Sequence, residues 1–438
     1  MRARARTPRR GLDRAPTPPA GGGAPPTPDR AYVARARVDH ARAGLAIAVA
    51  ALACIAVVWL GYEAWRFLAR PQRLGPIAIH PGAIDLVILH DMVVDWWRGA
   101  PVYAGPRGPV NNYPPASMIA LAPIYGWSSE PLTVVVWLAS FAAALVALAI
   151  LLARESGART GVERAIAALV VVATYPAGAT LGNGQIGVHI VLASVIALLL
   201  LRDRPPSWPR DVLAAALLLF ALAKPTLAGP LALVAAVLPG GVRVVALVAV
   251  GYLGLTCAAS AVRDEGLASL LGQFLARGWS QAMRGGESNL HRLLADAGLA
   301  GWMPFASLGA IALLAPFLMR CRRADPWLLI GVAAIVTRFW AYHRWYDDLL
   351  ILLPLVALSR IALDTSSPSR DRSGACALGV AVVLLLLAPG GLYLLPEPWN
   401  TGYRMAQVGT WLLAAALLAR FAWREASSAG PIGRAPRA

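Results

Sequence analysis

Charge is what this chain has least of. Only 14% of its 438 residues are charged, against 58% hydrophobic, and the mean hydropathy of +0.59 lies far from soluble domains. An ordinary globular enzyme is excluded. Acidic residues number 23 against 40 basic ones, for a formal net charge of +17. Lysine is almost missing: Lys224 is the only one, and every other basic residue is arginine. With the abundance of Ala, Gly and Pro, that looks like codon bias, so arginine identity is not read as a signal. The arginines punctuate the ends of apolar runs and fill the N-terminal stretch. They act as topology signals, and no nucleic-acid partner is implied. The cysteines, Cys54, Cys257, Cys321 and Cys376, stand singly, which excludes a zinc site and a disulfide framework. The turn at residues 182–185 lacks the strand and helix of a phosphate loop, and no repeat relates the two halves of the chain.

Long apolar runs dominate what is present. Residues 1–41, rich in Arg with Pro-Thr and Gly-Gly-Gly runs, cannot bury enough apolar surface to order themselves and are expected to form a disordered basic cytoplasmic tail. The run at 44–61 is long, starts deep in the chain and lacks a small-residue cleavage site, so an anchor is expected rather than a secretory signal. Further runs follow at 132–153, 165–179, 186–201, 212–223, 226–238, 244–262, 303–319, 327–342, 349–363, 375–395 and 405–421. Residues 116–125 are too short to span and read as re-entrant or interfacial. Against a hydrocarbon core of ~30 Å, the expectation is an all-α polytopic membrane protein with about twelve spans. The membrane domain covers 42–423, with a cytoplasmic tail at 424–438. An even count puts both termini inside, and residues 64–115 and 263–302 form long far-side loops.

The most polar loop is residues 85–115. From 84 to 97 it is apolar at most positions, with Asp91, Asp95 and Arg98 on one helical face, which predicts a short helix along the membrane surface. Gly99 and Pro101 end it. Asp85 falls in the first turn on a different face, either as a carboxylate favoured by the helix dipole or as a general base. With the predicted sidedness, Asp85, residues 182–185, Lys224, residues 285–289 and residues 343–348 all fall on the far face. Ionisable groups at a membrane edge are costly unless paired or wet, so the convergence suggests a polar cavity. Lys224 either snorkels to the interface or meets a phosphate as a compact point charge. Asp91 and Asp95 could bind a divalent ion, but no ligand set accompanies them; metal dependence is left open, no metal ligands are assigned, and no cofactor is expected.

Taken in order, these residues resemble the polyprenol-phosphate-mannose-dependent mannosyltransferases of glycosyltransferase family eighty-seven, in the C-type glycosyltransferase superfamily. The resemblance rests on Asp85, on Gly99 and Tyr103, on Tyr113-Pro114-Pro115, on Gly184-Gln185, on Lys224-Pro225 and on a late His and Asp cluster. Leu86, Ile88, Gly187 and residues 286–288 depart from the family's common residues. The resemblance implies C-type architecture with long far-side loops and a catalytic base at Asp85. It also implies inverting transfer of a hexose, mannose above all, from a polyprenyl-phosphate sugar to an extracytoplasmic glycan or glycolipid acceptor. The enzyme would be multi-pass in the plasma (inner) membrane, with its site on the extracytoplasmic side. Such chemistry needs a base for the incoming hydroxyl and cations for the departing phosphate. Asp85 is assigned the first role, with His343 as a relay; Lys224, Arg344 and Arg292 are assigned the second. Tyr113, Gln185, Glu287, Asn289, Tyr346 and Asp347 are expected to line the cavity. A twelve-span secondary transporter and a non-catalytic membrane scaffold are the alternatives.

Overall fold

The computed structural model describes residues 28–70, 73–74, 77–78, 81–103, 113–282 and 290–428. Residues 1–27 of the basic tail, Glu287 and Asn289 of the 285–289 turn, and residues 429–438 lie outside the described residues. The chain divides into a short unit, Met1–Ile47, and a large one, Ala48–Ala438, which holds all the geometry described below.

The apolar sequence folds almost entirely into helices. Helix α1 covers Pro28–Ala69, so the backbone is already helical within part of the stretch expected to be disordered; a proline suits a first helical turn. A two-residue antiparallel hairpin, β1 Arg73–Leu74 and β2 Ile77–Ala78, leads to α2 Ile84–Trp97. Its C-terminus closes as the sequence predicts: Gly99 has φ +78° and donates its N–H to Trp96 O, while Ala100 N–H reaches Asp95 O, a Schellman arrangement that only glycine adopts cheaply. The short apolar stretch becomes α3 Pro115–Ala120 and α4 Ala122–Tyr125. Then come α5 Glu130–Glu155, α6 Gly161–Ala173, α7 Tyr175–Asn183, α8 Gly187–Asp203, α9 Trp208–Ala221, α10 Pro225–Val237 and α11 Gly241–Arg263. The second long loop carries α12 Leu267–Ala282 and α13 Leu290–Asp296, and a 3-10 turn leads into α14 Met303–Arg320. Helix α15 Pro326–Trp340 is followed by a 3-10 helix, Trp345–Ile351, then α16 Leu352–Leu363, α17 Ser369–Leu386, α18 Gly391–Leu394 and α19 Trp399–Ser428.

Each of the twelve apolar runs contains a helix. Among the described residues, five helices are long and apolar enough to cross a membrane by length and composition: Ala43–Ala69, Glu130–Glu155, Gly241–Arg263, Ala300–Arg320 and Trp399–Ser428. The other runs give shorter helices because local chemistry breaks them. Residues 165–179 split at Thr174, whose backbone is extended ahead of Pro176, and residues 212–238 turn at Lys224-Pro225.

Long and short helices occupy different places. Helices α8 and α15 are apolar over most of their length and buried on nearly every side, α8 against α5, α9 and α10, and α15 against α10, α14, α16 and α19. The long helices lie outside and expose apolar side chains: Val57 and Val58 on α1, Val146 on α5, Val250 on α11 and Leu313 on α14. Such a greasy exterior suits lipid and not water. Helix α2 differs from the surface helix expected, because half of its residues, including Leu86, Leu89, Val93 and Trp96, are buried against α3, α4, α5 and α7. Its apolar positions cover more than one face, so it sinks into the protein.

Candidate active site

The site begins with a turn that only glycine can make. At the end of α7, Gly184 has φ +76°, and a Cβ there would sit 2.4 Å from Leu86 Cβ. At Gly182 a Cβ would meet Glu63 Oε2 at 1.7 Å and Arg66 Nη2 at 2.2 Å. Those two side chains form a buried pair, Arg66 Nε to Glu63 Oε2 at 2.7 Å, and Arg66 also donates to Asn183 Oδ1 at 3.2 Å. The Gly-Asn-Gly turn therefore lets α1 and the start of α2 approach its backbone. Ala83 donates its N–H to Gly182 O at 2.8 Å while holding φ +57°, a strained state for a non-glycine residue. Tyr125 Oη donates to Gly184 O at 3.2 Å from the other side. Gly184→Ala is expected to cost about 1–3 kcal/mol of stability, through strain and overpacking together. Thermal unfolding in detergent measures it, and an unchanged midpoint would contradict the close approach.

This docking sets Asp85, two residues beyond Ala83, against Gln185, one residue beyond Gly184. The half-buried Asp85 carboxylate accepts a hydrogen bond from the Gln185 side chain. The Gln185 amide also donates to Tyr346 Oη at 3.3 Å, and its carbonyl accepts from Tyr113 Oη at 3.5 Å. Burial pushes the Asp85 carboxyl up to about 6, against the Gln185 hydrogen bond and Lys224, which favour the charged form; the nearby Asp347 adds to the rise.

Lys224 enters from the α9–α10 turn, where Pro225 starts the next helix and Ser117 Oγ donates to Ala223 O at 2.6 Å. Its Nζ donates to Asp347 Oδ1 at 2.8 Å and lies 5.0 Å from the centre of the Tyr346 ring. Asp347 Oδ2 accepts from Arg344 N–H at 3.0 Å and lies 3.2 Å from His343 Nδ1, while His343 Nε2 lies 2.7 Å from Thr337 O. Burial opposes the Asp347 charge, but Lys224 and His343 outweigh it and hold the carboxyl well below its usual range. The two acids thus differ: Asp347 is committed to a cation, and Asp85 is poised near neutrality. Environments that drive two carboxylates apart are a mark of functional sites.

Several expected residues are therefore brought together: Asp85, Gln185, Tyr113, Tyr346, Lys224, Asp347 and His343. His343 is fully buried, with both ring nitrogens facing Thr337 O and Asp347, so it stands behind Asp347. The exposed Arg344 lies 5.4 Å over the Tyr342 ring and contributes to the field at Asp85. Arg292 is placed differently. It pairs with Asp296 at 2.8 Å on α13 and lines a small cavity with Thr401, Arg404 and Met405. Arg98, just past the end of α2, is exposed. Among the described residues no group of three or more His, Cys, Asp or Glu side chains is arranged to hold a metal ion.

Sequence reasoning missed the layer beneath. Asp348 accepts hydrogen bonds from Arg338 and Tyr175, and Gln407 Nε2 donates to Tyr175 Oη at 2.9 Å. A cue was present: an arginine inside an otherwise apolar helical run must be paired.

A lipid-facing bundle with a carboxylate, an amide and a lysine–aspartate pair converging at its helix ends defines a polytopic membrane protein built for polar chemistry. The sequence model of glycosyltransferase family 87 matches residues 111–347, more than half of the chain. The chain belongs to that family and is a glycosyltransferase. The match contains Tyr113, Gln185, Lys224 and Asp347 and begins after Asp85, whose place in the site rests on its contact with Gln185. No curated protein and no solved structure matches the chain.

Proposed function

We propose that the protein transfers a hexose, mannose by its family resemblance, from a polyprenyl-phosphate sugar to a glycan or glycolipid acceptor, with inversion at the anomeric carbon. The observation that carries this reading is the convergence of Asp85, held by Gln185, with the chain's single lysine, held by Asp347, on either side of Tyr346. Asp85 takes the proton of the acceptor hydroxyl as its oxygen attacks the anomeric carbon, and the bond from that carbon to the phosphate oxygen breaks. The lipid phosphate leaves as an anion, and Lys224 offsets the charge. An ammonium carries three donors; Asp347 takes one of them, and others can turn to a phosphate. One displacement inverts the centre, so a β-linked donor gives an α-linked product. His343 acts through Asp347, holding the acid that orients Lys224.

Sugar transfer from a lipid-phosphate donor in detergent tests the reaction. Solute counterflow in proteoliposomes without any transfer would sink it. In this reading the bundle sits in the plasma membrane with about twelve crossings, both termini inside and the site outside. A cysteine introduced at Ala104, which lies outside the described residues, is expected to react with an impermeant reagent in intact cells. Labelling only after lysis would reverse the arrangement.

A further inference from the structure

Asp347 and Asp348 are neighbours that point opposite ways. Asp347 turns to Lys224 and His343; Asp348, fully buried, turns to Arg338, also fully buried. The Arg338 guanidinium lies 5.5 Å over the Trp411 ring of α19, so the ion pair links the 3-10 helix Trp345–Ile351 to α15 and lies against α19. The other Asp348 oxygen accepts from Tyr175 Oη. Tyr175 is the first residue of α7, and the last turn of that same helix delivers Gly184 and Gln185. From α19, Gln407 Nε2 reaches Tyr175 Oη at 2.9 Å.

Two elements therefore carry the site, and one hydrogen bond ties their buried ends. Helix α7 presents Gln185, which holds Asp85. The 3-10 helix presents Tyr346 and Asp347, which hold Gln185 and Lys224. We propose that Arg338, Asp348 and Tyr175 form a positioning strut that sets α7 and the 3-10 helix in register, so that the base and the phosphate-binding lysine face one substrate. This rests on the assignment of Asp85 and Lys224 given above. A buried ion pair is often no more stable than apolar residues of the same volume, and its best-attested use is to fix a register. That accounts for a charged pair in the core where a leucine and a methionine would pack.

The test removes the strut in two ways. Tyr175→Phe deletes one hydroxyl, and the pair Arg338→Met with Asp348→Leu replaces the ions by apolar volume; Asp85→Asn is measured alongside. The strut variants are expected to stay folded in detergent while kcat falls about 10- to 100-fold, as for a slightly misplaced catalytic group. A second readout separates positioning from mere support. The Gln185 hydrogen bond lowers the Asp85 pKa, so a loosened Gln185 lets the acid limb of kcat/KM move upward from about 6. The other groups felt by Asp85, namely Lys224, Asp347, Arg344 and the phenols of Tyr113 and Tyr346, are unchanged in identity. Wild-type kcat and an unmoved limb in whichever strut variant folds, beside an inactive Asp85→Asn, overturn the strut alone. An active Asp85→Asn overturns the reading beneath it.

Discussion

Asp85→Asn is expected to abolish sugar transfer while leaving the protein folded and its donor bound. Asparagine keeps the shape and a carbonyl that still accepts from the Gln185 amide, but it cannot take a proton from an acceptor hydroxyl. Base catalysis contributes roughly 10²- to 10⁴-fold, the rest of the barrier falling through orientation and phosphate stabilisation. The loss is expected in kcat, with donor affinity near wild type. Asn substitutions at Asp91 and Asp95, both in the second half of α2, are expected to cost far less. The pH profile carries the same argument. Burial raises the Asp85 carboxyl to about 6, so below that value the carboxyl is protonated and unable to act as base. The kcat/KM of the wild type is expected to hold above this pH and to fall with acidification through it. More than a few per cent of wild-type transfer in Asp85→Asn, or an acid limb down at the ordinary carboxylate range near 4, moves the base elsewhere, to the cluster at 343–348.

Lys224→Met is expected to weaken donor use strongly. A charge-assisted hydrogen bond to phosphate contributes about 1.5–3 kcal/mol, or roughly 10- to 150-fold in apparent affinity. The same change also leaves Asp347 buried with His343 and a backbone N–H as its remaining partners, and breaking a buried pair in this way costs about 3–5 kcal/mol. Two controls separate binding from stability. Lys224→Arg keeps the charge and is expected to retain part of the donor affinity. Lys224→Met combined with Asp347→Leu removes the orphaned acid, so its unfolding midpoint recovers while its donor affinity does not. Unchanged donor affinity in folded Lys224→Met would confine the lysine to its aspartate.

The parts of the site that were legible in the sequence were those with local signatures. Gly99 announces the end of α2, Pro225 the turn that presents Lys224, and Gly182 and Gly184 a tight turn, because each states a backbone requirement that neighbours in sequence suffice to impose. Arg292, assigned to the phosphate by its place in a far-side loop, pairs in the fold with Asp296 one turn along α13, a contact that position in a loop does not reveal. The helix at residues 84–97 was legible in its bounds and misread in its surroundings, since apolar positions on more than one face can mean lipid or protein.

Composition and hydropathy by themselves determine that the chain is a bundle of apolar helices for a membrane, because 58% hydrophobic residues leave no other solvent for its exterior. They also mark Asp85 and Lys224 as groups that must be explained, since charge in such a chain is costly wherever it sits. Only the tertiary structure decides which groups meet. Asp85 and Gln185 are a hundred positions apart, Lys224 and Asp347 more than that, and Tyr175 and Asp348 further still. Their pairing follows from how whole helices pack, and packing is set by the sum of many weak apolar contacts that no local pattern encodes.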